Sequence, residues 1–95
     1  MSGVFGGLPD AVVQFQATVG TTAAALQSSA PADSLTILAD ANNSASIFLG
    51  NSSSVTTSNG FPLAAGASQT LKISNSNLVY AISSSSSQKL HVIGS

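Results

Sequence analysis

Short segments in which apolar and polar residues alternate are the feature that most constrains the fold of this 95-residue chain. In residues 12–19, one face holds Val13, Phe15, Ala17 and Val19, and the other holds glutamine and threonine. Further short segments cover residues 23–27, 34–40, 46–50, 61–63, 69–74, 78–83 and 88–93. A period of two is typical of half-buried strands, and no segment keeps a helical period beyond one turn. The sequence therefore predicts seven or eight strands.

Gly, Asn, Ser and Pro separate these segments, as in an antiparallel β-sandwich or jelly roll. We expect residues 11–95 to form this all-β domain and residues 1–10 to form a short flexible N-terminal arm. Residues 20–30 are the one stretch that could hold a short helix, because they are rich in alanine. Pro62 indicates an edge or turn position. Asn59-Gly60 is a favoured pair for a turn with positive φ, and the serine run 83–87 predicts a hairpin loop.

The alternation also predicts which residues form the core. The expected core consists of Val13, Phe15, Leu35, Ile37, Ile47, Leu49, Leu63, Leu71, Ile73, Tyr80, Ile82, Leu90 and Val92. Several strands are apolar on their second face as well, at Leu38, Phe48, Val79, Ala81 and Ile93. Because the outer face of a lone sandwich should be polar, we expect that another subunit covers part of this second face.

The N-terminal arm has an unusual composition for a solvated tail. Residues 1–10 contain three glycines and a proline around Val4, Phe5 and Leu8. Two alternatives stay open: the arm packs Phe5 under its own domain, or it reaches onto a neighbouring subunit. In the second case Val4, Phe5 and Leu8 are the candidate contacts with a capsid or a neighbour.

The chain has very few charges, which excludes several classes of function. It holds two basic and three acidic side chains, with a net charge of −1 and no cysteine. Nucleic-acid binding needs a basic surface, and disulfides or thiolate metal sites need cysteine. No window of about 18 apolar residues could span a membrane, and no secretory signal is predicted. A core this small is marginal, which favours partner chains.

The residues capable of acid, base or metal chemistry are scattered. Asp10, Asp33 and Asp40 lie where carboxylates cap turns, and His91 points away from the face of Leu90 and Val92. No Gly-x-Ser-x-Gly elbow is present, so a catalytic triad has little support, and a rim or structural role for His91 is the preferred interpretation. We therefore predict no enzymatic activity, no catalytic or metal-ligating residues and no cofactor.

One part of the chain resembles a known family. Residues 47–52 are Ile-Phe-Leu-Gly-Asn-Ser, and residues 55–66 are Val-Thr-Thr-Ser-Asn-Gly-Phe-Pro-Leu-Ala-Ala-Gly. Leu71-Lys72-Ile73 and then Leu-Val-Tyr-Ala-Ile at 78–82 follow. Together they resemble a small β-domain of tailed-bacteriophage virion proteins, over roughly residues 34–93. In that pattern Gly60 and Gly66 supply turns, and the core positions are Leu63, Leu71, Tyr80 and Ile82.

A chain made of this domain and a short arm is similar to capsid decoration, or cement, proteins. The resemblance implies a structural protein on the outside of an icosahedral phage head, assembled in the host cytoplasm. Its expected partners are the major capsid protein and itself, as a homotrimer. The resemblance gives no binding residues to carry over. Two alternatives stay open: a head or tail fibre or knob domain that contacts the host surface, and a small glycan-binding module.

Overall fold

The structure is a computed structural model, and it describes residues 12–26 and 33–94. Within these residues the chain forms eight strands and one short 3-10 helix at Ser76–Leu78. The strands are β1 (Val13–Val19), β2 (Ala24–Ala25), β3 (Leu35–Ala39), β4 (Ile47–Gly50), β5 (Phe61–Leu63), β6 (Ser68–Leu71), β7 (Tyr80–Ser83) and β8 (Gln88–Gly94).

The eight strands form two antiparallel sheets of four. The first sheet has the order β1-β8-β3-β6, and the second has the order β2-β7-β4-β5. Eight strands in this order, with the chain crossing repeatedly between the sheets, make a jelly roll. The prediction of an all-β sandwich or jelly roll is therefore confirmed. The serine run does not close a hairpin, because it joins β7 of the second sheet to β8 of the first.

The core lies between the two sheets and is mainly aliphatic. Its completely buried side chains include Leu35 and Ile37 from β3, Ile47 from β4, and Leu90 and Val92 from β8. In these strands the inward and outward residues alternate as the sequence predicts, so every second residue is buried. Of the predicted core, seven residues are buried: Leu35, Ile37, Ile47, Leu49, Leu63, Leu90 and Val92. Four others pack partly buried against it, namely Val13, Phe15, Leu71 and Ile73.

The predicted phase of β7 is wrong. Val79 and Ala81, which were expected on the second face, are 3% and 2% exposed and belong to the core. Tyr80 and Ile82, which were expected in the core, are partly exposed on the outer face. The pairing explains this, since Ala81 lies opposite the inward-facing Leu49. Residues directly opposite in a sheet share a face, so β4 fixes the phase of β7.

Two glycines near β5 have different roles. Gly66 has a φ of 82°, which allows the turn before β6. Gly60 does not have a positive φ, so the backbone conformation predicted for the turn at Asn59-Gly60 is wrong. A Cβ at Gly60 would lie 2.7 Å from the Phe48 Cβ atom, so space rather than backbone freedom requires glycine here. Pro62 lies in β5, an edge strand of the second sheet, as predicted.

The alanine-rich stretch and the N-terminal arm lie partly or wholly outside the described residues. In the stretch 20–30, Ala24 and Ala25 form strand β2 instead of a helix, and residues 27–30 lie outside the described residues. The arm, predicted at residues 1–10, also lies outside them. Of the residues that the structure describes, none belongs to a helix with the length and hydropathy needed to cross a bilayer.

Candidate functional site

A polar cleft lies at one end of the first sheet, between the loop after β3 and the start of β8. It has a volume of about 520 Å³ and is lined by Gln16, Asp40, Asn42, Asn43, Ser44, Ser86, Ser87, Gln88 and Lys89. The cleft brings together two of the five charged side chains of the protein, Asp40 and Lys89. Clefts with converging polar groups are the usual place for a ligand, so its hydrogen bonds decide what it could bind.

Most polar groups of the cleft already have partners inside the protein. Asn43 pairs with the backbone of Lys89, accepting from its N–H at 2.8 Å and donating to its carbonyl at 2.9 Å. The buried Gln88 accepts from the Ala45 N–H at 3.0 Å and donates to the Ser44 Oγ and the Ser86 carbonyl. These bonds tie the loop after β3 to β8. The cleft is therefore a structural polar network rather than a set of free ligand-binding groups.

His91 and Asp40 form an ion-pair geometry that the sequence did not predict. The His91 Nε2 atom lies 2.7 Å from Asp40 Oδ2, although 51 residues separate them in sequence. Gln16 approaches the other ring nitrogen, with its Nε2 atom 3.4 Å from His91 Nδ1. A carboxylate only accepts and an amide nitrogen only donates, so these partners fit a ring that carries its proton on Nε2. Both ring nitrogens are therefore engaged, which supports a structural role for His91.

Asp40 has the turn-capping role that the sequence predicts. Its Oδ1 atom accepts a hydrogen bond from the Asn42 N–H at 2.8 Å. The hydrogen bond from His91 lowers the pKa of the Asp40 carboxyl below its ordinary value of 3.8, and the bond from Asn42 lowers it further. The positive charge of Lys89 acts in the same direction. The ionised carboxylate is therefore favoured in the folded state.

We expect Asp40→Asn to lower the stability of the protein at neutral pH and to have less effect in acid. The folded-state pKa of Asp40 lies below its unfolded value. The contribution of the carboxylate to the free energy of unfolding is therefore complete above the unfolded pKa. It is lost as the pH falls through the folded pKa, which is below 3.8. Urea unfolding of both proteins at several pH values between about 5 and 2 measures the difference in unfolding free energy.

The control for this experiment is Asp33→Asn, since Asp33 is exposed on the surface. The control should show a smaller difference from the native protein across the same pH range. A difference between the native protein and Asp40→Asn that stayed constant down to about pH 2 would contradict the role assigned to the ionised carboxylate.

The described residues show no further grouping of chemically active side chains. Across residues 12–26 and 33–94, no three His, Cys, Asp or Glu residues lie close enough to hold a metal ion. In the same residues, the hydrogen-bond partners of the His91 ring are Asp40 and Gln16, and neither carries a hydroxyl or thiol that the ring could activate.

Apolar side chains on the outer faces of both sheets form the second class of candidate surface. On the second sheet, Phe48 of β4 lies opposite Pro62 on one side and Ile82 on the other. Tyr80 of β7 lies next to Ala25 on the same face. We call these five residues the outer patch of the second sheet. It runs across all four strands of that sheet and contains no charged residue.

The first sheet has a smaller outer patch. Leu38 and Ile93 are 38% and 51% exposed, and Val12, just before β1, is 61% exposed. The predicted second-face residues Leu38, Phe48 and Ile93 are therefore confirmed as outward-facing. Contiguous exposed apolar patches are typical of surfaces that bind other proteins.

An apolar groove opens at the edge of the sandwich, between β5 and β6. Its volume is about 400 Å³, and its apolar lining is Leu49, Phe61, Leu71, Ile73, Leu78 and Val79. Phe61 and Leu78 are 53% and 50% exposed, although they lie beside the buried Leu49 and Val79. Sequence reasoning missed this groove, because it depends on which strands stand at the edges of the two sheets.

The candidate contact residues Val4, Phe5 and Leu8 lie outside the described residues, so their position is not tested. Comparison with known proteins adds no assignment: no family model, no curated protein and no solved structure matches this chain. The surfaces themselves therefore carry the functional argument.

Proposed function

We propose that this chain is a non-enzymatic structural protein that works by binding other protein subunits. The observation that carries the proposal is the apolar, uncharged outer patch of the second sheet, formed by Ala25, Phe48, Pro62, Tyr80 and Ile82. A sheet of a sandwich that faces water on its outer side is expected to be polar there. A covering protein would explain why this sheet is apolar on both faces.

The specific form of the proposal is a capsid decoration protein on the outside of an icosahedral phage head. Its support is the resemblance of roughly residues 34–93 to a β-domain of tailed-phage virion proteins. Jelly rolls occur in viral capsid proteins and also in lectins, so the fold agrees with this proposal without establishing it. The partners would be the major capsid protein and further copies of the chain, and the protein would reside on the virion.

Attachment would depend on apolar burial rather than on ion pairs. The chain has five charged side chains, and Asp40 is already paired with His91 inside the protein. Few charges are left to attract a partner at long range. Complete burial of an exposed valine, leucine, isoleucine or phenylalanine stabilises a complex by about 1.5–3 kcal/mol per side chain. Association itself costs about 4–15 kcal/mol, so stable binding requires that several such side chains are buried together.

We expect binding to undecorated capsids of the phage that encodes the protein to survive molar salt. Raising NaCl from about 0.1 M to about 1 M shortens the Debye length from about 10 Å to about 3 Å. This change screens ion pairs but not apolar contacts. The measurement is co-sedimentation of the protein with capsids at both concentrations. Release of the full-length protein at high salt would contradict attachment by burial.

The same assay tests the candidate contacts in the arm. Deletion of residues 1–9 removes Val4, Phe5 and Leu8 and should weaken binding. The loss of binding free energy should be smaller than the sum for three fully buried side chains, because a glycine-rich arm loses entropy on docking. Undiminished binding would show that the arm is not part of the interface.

The number of copies in purified particles separates the alternatives, since a decoration protein is present in hundreds of copies and a fibre or knob domain in few. Binding to free sugar without capsids would favour the glycan-binding alternative.

A further inference from the structure

The apolar groove between β5 and β6 leaves inward-facing side chains without a cover. Phe61 of β5 lies directly opposite Leu49, so the two side chains share the inward face of the second sheet. Leu49 is 6% exposed, whereas Phe61 is 53% exposed. On the other side of the groove, Leu71 and Ile73 pack against the core but are only partly buried. A large apolar side chain that points inward and stays half exposed indicates that the groove takes up a further apolar group.

The chain itself supplies a segment of matching chemistry. Residues 1–9 contain Val4, Phe5 and Leu8 and no charged side chain. The groove lining is uncharged as well, and its polar members are Asn51 and Gln69. The burial of apolar side chains against an apolar surface is favourable, and no charge has to be removed from water when these two surfaces meet.

This segment joins the described structure at the same end of the sandwich as the groove. Val13, at the start of β1, lies opposite Gly94 of β8. Gly94 also lies opposite Leu35, and Leu35 lies opposite Leu71 of β6. These residues form one row across the first sheet, and Ile73 follows just beyond the end of β6. Neighbouring strands are about 4.8 Å apart, so the row spans about 14 Å from β1 to β6.

We propose that the N-terminal segment of each chain crosses this end of the first sheet and fills the groove of its own copy. Leu8 lies against Ile73, and Phe5 covers Phe61. The chain length allows this course. An extended chain covers about 3.3–3.6 Å per residue, so Leu8, four residues before Val12, reaches about 14 Å. Phe5 is three residues further along and reaches about 24 Å, which is enough to enter the groove.

The residues around these two anchors suit the same course. Pro9 disfavours helical backbone at Leu8, which favours an extended chain. Gly6 and Gly7 have no side chains, so the segment can pass closely over the end of β6. Because the segment is attached to the same chain, its effective concentration at the groove is high even in dilute solution.

The contact concerns the free protein and goes beyond the proposed function. Of the two courses that the sequence leaves open for the arm, it selects the one within the same copy. An arm that lies in its own groove has to leave it before Val4, Phe5 and Leu8 can contact a capsid or a neighbour. In the free protein, the groove therefore keeps these apolar side chains away from other molecules.

A single tryptophan tests whether the groove is covered, because the chain contains none. In Phe61→Trp, an indole replaces the half-exposed ring, and its fluorescence moves to longer wavelength when water reaches it. We expect full-length Phe61→Trp to emit at shorter wavelength than the same variant without residues 1–9. Adding Phe5→Ser and Leu8→Ser to the full-length variant should shift its emission to longer wavelength, as the deletion does.

Leu38→Trp is the control, since Leu38 is 38% exposed on the outer face of the first sheet, away from the groove. Its emission should be the same with and without residues 1–9. Thermal unfolding of each variant confirms that it is folded. Equal emission of the two Phe61→Trp proteins would overturn the proposal, because the groove would then be open in the full-length chain.

Paired cysteines distinguish the chain's own segment from that of a neighbouring copy, since the chain contains no cysteine. In Leu8→Cys/Ile73→Cys, oxidation in dilute solution should link the two positions within one copy. A disulfide needs Cα atoms closer than about 7 Å, so the link reports the contact directly. A non-reducing gel should show a species of the 9.3 kDa chain mass that has lost its free thiols.

The control for this link is Leu8→Cys/Ala65→Cys. Ala65 is exposed in the turn between β5 and β6, next to Gly66, whose N–H donates to the Ala39 carbonyl at the far end of β3. Leu8 reaches only about 14 Å from the start of β1, so it cannot come close to Ala65 across both the width and the length of the sheet. We therefore expect no link within one copy of this variant.

Two outcomes of the cysteine experiment would overturn the proposal. A linked dimer of Leu8→Cys/Ile73→Cys in dilute solution would show that the segment of a neighbouring copy occupies the groove. Linkage at Ala65 equal to that at Ile73, or a folded Leu8→Cys/Ile73→Cys protein that does not link, would show that the segment is not held there. Neither experiment needs capsids, so its failure is separate from a failure of the proposed function.

Discussion

Ile37→Ala is expected to lower the thermal unfolding midpoint by about 10 °C or more. Ile37 is 0% exposed in the centre of β3, so alanine would leave a cavity between the two sheets. Such substitutions cost about 2–5 kcal/mol. One kcal/mol corresponds to a shift of about 4–8 °C in a domain of this size. The total stability of a domain is only about 5–15 kcal/mol, so this substitution removes a large part of it.

Two controls carry the same chemical change at other positions. Ile93→Ala alters a residue of the neighbouring strand that is 51% exposed, and Ile82→Ala alters the outer face of β7. Both should lower the unfolding midpoint much less than Ile37→Ala does. A third variant, Ile73→Ala, should have an intermediate effect on the midpoint, because Ile73 packs at the edge of the core. Thermal unfolding by circular dichroism measures all four. An equal loss at Ile82 and Ile37 would contradict the phase of β7.

Gly50→Ala is expected to destabilise the protein by about 1–3 kcal/mol, the usual cost of overfilling a packed site. A Cβ at Gly50 would lie 2.5 Å from both the Cβ and the Cγ2 of Val55. Val55 is itself buried, 7% exposed, in the connection between β4 and β5. The branched side chain of Val55 is short and held close to its backbone, so it cannot turn aside. The whole connection between β4 and β5 would therefore have to move away from β4.

Gly20→Ala is the matched control for this substitution. A Cβ at Gly20 would meet nothing within 4 Å, and Gly20 has no positive φ. Alanine there should be neutral or stabilising by up to about 1 kcal/mol, because it restricts the unfolded chain. Urea unfolding of both variants compares the two sites. Equal stability of the two alanine variants would show that residues 51–60 adjust freely and that Val55 does not hold them against β4.

The alternating pattern predicted the strands well where one face is clearly polar. In β1, the inward residues Ala17 and Val19 alternate with glutamine and threonine, and both are buried as the pattern predicts. The pattern failed in β7, because Val79, Ala81 and Ile82 are all apolar and alternation does not distinguish two apolar faces. The register with β4 fixes which face is buried, and that register depends on pairing between distant parts of the chain.

The candidate surfaces could be predicted only in part. The outward positions of Leu38, Phe48 and Ile93 follow from alternation within single strands. The contact between Asp40 and His91 does not, because it exists only when β3 and β8 are neighbours in the first sheet. The groove beside β6 likewise depends on the order of strands in both sheets. Sequence patterns describe single strands, whereas these features need the complete topology.

The position of β8 in the first sheet determines when the protein can fold during its synthesis. β8 lies between β1 and β3, yet the ribosome makes it after both of them and after the four strands that come between β3 and β8 in sequence. Until it emerges, the first and third strands have no partner between them, and half of the sandwich cannot assemble. Assembly of the first sheet therefore waits for the synthesis of β8. Nascent chains keep the apolar faces of β1 and β3 uncovered during this interval, when chaperones would be most useful.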